Sequence, residues 1–318
     1  MQPTLEEFVS WPTAQIAQYV RENNVRVGVL AINGTRRWFR LQYPDQSVNS
    51  EVFMNAMIDV NIRLCHLLYD HGVDTLILPV FGPELLARTG YDDIAWKGLD
   101  CLANDPRLRE FFSSDDVRVR FYGDYYQAFN AAPWFDLISS FNELVSQTAP
   151  HRKNRLFMGV CAQNATETIA RLAIEFYKEH DCVPNKKELI RMYYGEELED
   201  ANFFIGFDRF CAFDMPLVDN GNVALYFTVC PSPYLTTIQF REILYDYICL
   251  RNATLENEHK EIEYPYLNNM RIFYDANQKQ TQGIGFLMDG IWYPSSHVVV
   301  PPGMQPHRTL PTTGQLGL

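Results

Sequence analysis

Two adjacent arginines, Arg36 and Arg37, follow the turn Asn33-Gly34-Thr35 and precede Trp38 and Phe39. Paired guanidinium groups can fork onto the oxygens of a diphosphate. A helix starting at this turn would add its free N–H groups, so that an anion is favoured twice over. The plainer alternative is a solvated basic turn beside a buried Trp, because short basic pairs are common on surfaces. A second cluster, Arg88, Tyr91, Asp92 and Asp93, lies in FGPELLARTGYDD. Its adjacent carboxylates could hold Mg2+ near a diphosphate, or one of them could cap the next helix. The third cluster is Asp208-Arg209 after FFIGF. It reads either as a surface ion pair or as part of an anion and metal site, with Asp208 the candidate metal ligand. No His/Cys cluster has zinc spacing, and there is no P-loop, dinucleotide-type glycine loop or GxSxG elbow. His66 sits in an apolar helical stretch and reads as structural.

Each cluster follows a segment with strand character, and ligands of open parallel sheets sit beyond the carboxyl ends of the strands. Val25 to Ile32 (VRVGVLAI) is β-branched and apolar on both faces, as a buried parallel strand requires. Further strands are expected at Thr75 to Phe81, Val117 to Asp124, Arg155 to Ala162, Phe203 to Phe207 and Ala224 to Cys230. Between Glu51 and Tyr69, residues Phe53, Met57, Val60, Leu64, Leu67 and Leu68 recur at helical spacing, and His71-Gly72 supplies a stop signal. Helices are also expected from Asp93 to Leu102, Ala165 to Lys178 and Thr236 to Leu250, and another ends in LIRMYYG. This alternation predicts an α/β fold, a single parallel-sheet domain with surrounding crossover helices. With no internal repeat or long linker, that domain is expected over 1–296. The Pro-, Gly- and Thr-rich residues 297–318 are expected to form a flexible tail.

The chain of 318 residues is 47% hydrophobic, enough for a sizeable core without staples. Its formal net charge of −12 excludes general binding to nucleic acid or to anionic membranes, which need basic surface. An anionic ligand would have to be met by a few arginines gathered in one pocket. The N-terminal residues lack a basic region before an apolar run, so no signal peptide is expected. No stretch reaches the ~18–20 apolar residues of a membrane helix. Seven cysteines, odd in number and without a CxxC pair, read as reduced thiols of a cytoplasmic protein.

The turn NGTRRW, the segment ANFFIGFDRFCAFDMPLV and the later ALYFTVCPSPYLTTIQFREILYDY fall in the order found in the cis-prenyltransferase (undecaprenyl diphosphate synthase) superfamily, which the chain resembles. GTRRWF, LAND, FYGD, YYGE, FDMPL and DGIW extend the resemblance toward a branch of mycobacterial diterpene synthases, over roughly residues 5 to 293. The resemblance implies the cis-prenyltransferase fold and a homodimer. It also implies an enzyme that ionises an allylic isoprenoid diphosphate, C15 to C20, as a terpene synthase or prenyl-group transferase, with Mg2+ as cofactor. Water, another nucleophile or proton loss would end the reaction.

On this basis Asn33, Arg36, Arg37, Tyr91 and Asp208 are the candidate catalytic residues. Gly34, Thr35, Trp38, Phe39, Phe53 and Arg209 are the candidate substrate contacts. Two departures stand out: Asn33 occupies the place of the family's Asp, and Phe53 the place of a pocket Tyr. An amide keeps the size of a carboxylate but is no base and binds Mg2+ more weakly. Two alternatives remain at this point. One is a non-catalytic prenyl-diphosphate-binding or partner subunit, which Asn33 favours. The other is a chain-elongating cis-prenyltransferase, which the single arginine of GFDRFCAF disfavours.

Overall fold

Val27–Leu30 is buried at all four positions, which an apolar run without alternation can satisfy only between two covered faces. In the computed structural model, which describes residues 2–82, 92–129, 134–162, 165–251, 266–288 and 290–295, this strand lies inside a six-stranded sheet. The strands are β1 (Val27–Leu30), β2 (Thr75–Phe81), β3 (Val117–Tyr122), β4 (Asn154–Val160), β5 (Phe203–Phe207) and β6 (Ala224–Thr228). Two more, β7 (Gly285–Met288) and β8 (Ile291–Pro294), form an antiparallel pair. In chain order the helices are α1 (Leu5–Ser10), α2 (Thr13–Glu22), α3 (Thr35–Gln42), α4 (Glu51–Asp70), α5 (Asp92–Asn104) and α6 (Pro106–Ser114). They continue with α7 (Tyr125–Ala128), α8 (Phe135–Thr148), α9 (Ala165–His180), α10 (Lys186–Tyr194), α11 (Thr237–Tyr245) and α12 (Tyr266–Asn277).

The chain divides into two compact units, Thr13–Thr236 and the pair of segments Met1–Pro12 and Thr237–Leu318. The first holds the sheet, ordered β3-β4-β2-β1-β5-β6 with every neighbouring pair parallel. From β1 the chain builds outward on one side through β2, then returns to the other side of β1 as β5. The strand order therefore switches direction at β1, which is where an open sheet leaves a crevice at its carboxyl edge. On one face Val27, Val29, Ile77, Phe157 and Phe204 pack with Ile190, Tyr193 and Tyr194 of α10. On the same face, Glu196 receives Arg118 and Arg120 of β3 at 3.1 Å and Arg155 of β4 at 3.6 Å. It follows Gly195, whose φ of +80° ends α10 in the left-handed conformation.

β1 is shorter than the apolar run suggests, for a hydrogen-bonding reason. Asn202 Oδ1 accepts from the N–H groups of both Arg26 and Val27 at its start, and at its end Asn33 N–H turns back onto Ala31 O. In the second unit, Phe8 is fully buried against Trp11 and Tyr245. There Arg241 donates to Val9 O and Trp11 O, and Tyr245 Oη donates to Pro3 O. The helix expected to Leu250 leaves regular α geometry after Tyr245 and widens into a π-helical stretch, Asp246–Arg251.

Candidate active site

The turn after β1 is clamped by the loop after β6. Ser232, 2% exposed, accepts from Asn33 N–H with its Oγ (3.0 Å) and donates that hydroxyl to Ala31 O (3.0 Å). Its own N–H donates to Asn33 O at 3.0 Å. Gly34 has φ +73°, and a Cβ there would stand 2.7 Å from the Phe207 ring and 2.9 Å from Pro231 Cβ. Only glycine meets both demands. Gly34 is also the N-cap of α3 and supplies no capping side chain, while the first turn that follows carries no acidic residue. A helix N-terminus without a capping side chain, with Arg36 and Arg37 in its first turn, favours an anion by geometry and by charge.

Residues Asn33 to Arg37 form one side of a cavity of about 660 Å³. The opposite wall is α4, which contributes Phe53, Met54, Met57, Ile58 and Asn61. The end of β2, from Leu78 to Gly82, closes the inner side, and α5 adds Gly98, Leu99, Cys101 and Leu102. Ile32, Ala95 of α5, Leu108 of α6, Phe213 and Asp214 complete the lining. Polar groups thus gather at the β1 turn and the remaining wall is largely apolar, the distribution expected of a site for a ligand with one anionic end. Burial, followed by the charges of Asp105 and Asp100, pushes the Cys101 thiol up, which disfavours the thiolate.

Arg37 is held from behind. Its Nη1 lies 3.1 Å from Asp208 Oδ2, and its guanidinium sits 5.5 Å from the centre of the Phe207 ring. Asp208 has φ +69°, and among the described residues its buried Oδ1 has no hydrogen-bond partner. The wall is held to the turn as well. Arg63 of α4 donates to Leu235 O at 3.1 Å and to Pro233 O at 2.5 Å, next to the Ser232 that clamps Asn33. Burial lowers the pKa of this guanidinium.

Of the residues singled out in the sequence, Asn33, Gly34, Thr35, Arg36, Arg37 and Phe53 therefore line one cavity. Asp208 stands behind Arg37 rather than on the wall. Phe39 is fully buried, its ring edge-on to Phe53 at 5.1 Å, and with Trp38 it backs the wall instead of facing the cavity. Arg209 is exposed and lies off the lining. Tyr91 and Arg88 lie outside the described residues, and α5 opens at Asp92. Sequence reasoning passed over Asn61, Met54, Gly98 and Asp214. Asn61 had a signal: it lies four residues after Met57, a polar group on a stripe otherwise read as core.

Among the described residues no three His, Cys, Asp or Glu side chains gather as a metal cage. Mg2+ bound with a diphosphate needs only one or two carboxylates from the protein. The orphaned Oδ1 of Asp208 is an oxygen that a cation would satisfy. Among the described residues no helix is long and apolar enough to cross a membrane.

No protein-family model matches the chain. It is 36% identical over 290 residues to tuberculosinyl adenosine transferase of Mycobacterium tuberculosis, covering 91% of this chain and 97% of that one. It is 20% identical over 305 residues to (+)-kolavelool synthase of Herpetosiphon aurantiacus, covering 92% and 96%. Its fold matches lavandulyl diphosphate synthase from Lavandula x intermedia (TM-score 0.59, 12% identity, 72% of this chain and 97% of that one). It also matches a probable undecaprenyl diphosphate synthase from Campylobacter jejuni (TM-score 0.53, 17% identity, 71% and 96%). The chain belongs to the cis-prenyltransferase superfamily, in the branch that includes tuberculosinyl adenosine transferase.

Proposed function

We propose that this protein is a terpene synthase or prenyl-group transferase that ionises an allylic isoprenoid diphosphate of C15 to C20. The observation that carries the reading is the uncapped α3 N-terminus with Arg36 and Arg37, facing an apolar-walled cavity of about 660 Å³. The diphosphate binds at the turn, and the prenyl chain lies between α4 and α5. The carbon–oxygen bond breaks with its electron pair staying on the diphosphate. Arg36, Arg37 and the first N–H groups of α3 stabilise the charge that grows there, typically the largest single contribution in such a step. The Phe53 ring faces the allylic cation, and aromatic faces contribute about 0.5–2 kcal/mol to a desolvated cation. Mg2+, where bound, would be held by Asp208 and the diphosphate's own oxygens, and it would supply neutralising charge to the leaving group.

The same reading includes a homodimer in the cytoplasm, supported by the family relationship and by seven cysteines that stand as free thiols. The acceptor named for the mycobacterial relative, adenosine, is one candidate nucleophile. A second reading, a prenyl-diphosphate-binding subunit without turnover, is favoured by the amide at Asn33, which offers no base. One assay decides between them. The protein is incubated with C10, C15 and C20 allylic diphosphates and Mg2+, and released diphosphate and products are measured. Release with a C15 or C20 substrate supports the enzyme; tight binding without release supports the subunit.

A further inference from the structure

α4 turns Phe53, Met54, Met57, Ile58 and Asn61 toward the cavity, and Asn61 is the one polar side chain of that face. Its amide is not free to rotate at will. Nδ2 donates to Met57 O, one turn back, at 2.7 Å. That bond engages one of the two N–H groups of the amide and fixes its orientation, and among the described residues Oδ1 has no partner. The outcome is an acceptor oxygen, fixed in direction, in a wall of thioethers and hydrocarbon. Asn61 is half-buried and its Oδ1 is not sealed from the cavity, so an occupant that brings a donor can reach it. An allylic diphosphate brings none: its hydrocarbon has no donor, and its anionic end sits with the arginines.

We propose that Asn61 Oδ1 accepts the hydrogen bond of the molecule that quenches the cation, a water, an alcohol or an amine held in the cavity by its O–H or N–H. This rests on the ionisation chemistry proposed above. A hydrogen bond into Oδ1 orients the acceptor, leaving its lone pair directed away from Asn61 and toward the cation. The lone pair then forms the new carbon–oxygen or carbon–nitrogen bond at an allylic terminus. The electron pair of the broken bond stays with the departed diphosphate, which takes the proton that the acceptor releases. Asn61 takes no proton, because an amide oxygen is too weak a base. It is a positioning residue for the nucleophile.

The test has two arms. In the first, wild type and Asn61→Leu are incubated with geranylgeranyl diphosphate and Mg2+, and products are normalised to released diphosphate. The expected result is at least a tenfold fall in the ratio of alcohol or amine adducts to hydrocarbons formed by proton loss. An unchanged ratio overturns the proposal. The second arm needs no turnover. Calorimetry measures binding of a protonated tertiary prenylamine, which carries an N–H donor, and of its quaternary N-methyl counterpart, with inorganic diphosphate present. In wild type the N–H form binds about tenfold more tightly, in Asn61→Leu the preference is lost, and in Asn61→Asp, which keeps an acceptor oxygen, it persists. The same preference in wild type and Asn61→Leu overturns the proposal. Should wild type release no diphosphate, the ionisation reading falls and the second arm alone judges Asn61.

Discussion

Asn33→Asp places a carboxylate where the structure already balances charge closely. Arg36 and Arg37 line the cavity, but Arg37 is shared with Asp208 at 3.1 Å, and Asp214 adds a further negative group to the lining. The turn is held through the backbone N–H and C=O of Asn33, not through its side chain, so the substitution leaves the clamp by Ser232 in place. Its effect is therefore electrostatic. A new unit charge about 5 Å from a phosphate charge, at an effective dielectric near 20, repels it by about 3 kcal/mol before screening. Without Mg2+, KM for the prenyl diphosphate should rise at least tenfold. With saturating Mg2+ the carboxylate gains a cation to hold, and turnover should equal or exceed that of the parent. The assay is a Mg2+ titration of both proteins against one prenyl diphosphate, following release of diphosphate. Identical KM and identical Mg2+ dependence would show that position 33 does not face the reacting diphosphate, and the placement of the site at the β1 turn would have to be withdrawn.

Arg37→Ala should lower kcat/KM by about 10²–10³, the loss expected when a charged donor to a leaving group is removed. It should also lower Tm slightly by leaving the mostly buried Asp208 unpaired; adding Asp208→Asn should restore Tm but not activity, and activity restored with it would refute the role of Arg37. Gly98→Leu should shift preference toward shorter prenyl chains, because even a Cβ there already meets Met54 Cε at 3.4 Å across the cavity; unchanged C20-to-C10 selectivity would count against the proposed chain path. Asp116 Oδ2 accepts from the backbone N–H groups of Arg152 and Lys153, and these bonds hold its carboxyl below the usual 3.8. A depressed carboxyl contributes stability above its unfolded value and loses it as pH falls through its folded value. Asp116→Asn should therefore lower Tm at pH 7, with the gap shrinking below about pH 3.8, and a gap that persists at pH 2 would contradict the electrostatic origin.

The local half of this architecture was legible in the residues. VGVL had to be a strand covered on both faces, and the Glu51–Asp70 helix announced itself by its apolar recurrence and its His71-Gly72 stop. The Gly34 turn carried its own signal, a glycine before paired arginines. What spacing could not supply was pairing at long range. Asp208 meets Arg37 across 171 positions, and Ser232 reaches Asn33 across 199. Nothing local to either partner marks such contacts, because they arise only once β1, β5 and β6 lie side by side. The aromatic residues show the same limit. Phe39 and Phe53 are both apolar neighbours of the basic turn, yet one faces the cavity and the other is packed behind it. Helical phase and the seating of α3 on α4 make that distinction, and neither is written in residue type.

The clamp of Ser232 on Asn33, together with Gly34 wedged between Phe207 and Pro231, separates two kinds of evolutionary freedom. The corner at the β1 turn is knotted into three strand ends, so nearly any change there disturbs the backbone of several loops at once and exacts its cost on folding as well as on any chemistry there. The opposite wall is carried by helices whose cavity faces offer unbranched methionines and a bare glycine, and side chains of that kind exchange size and shape at small cost. On the proposed function, a lineage built on this frame can alter what hydrocarbon it accepts and what it makes of it while leaving the β1 turn untouched. Laboratory libraries confined to α4 and α5 should accordingly yield new product spectra far more often than libraries of equal size aimed at the turn.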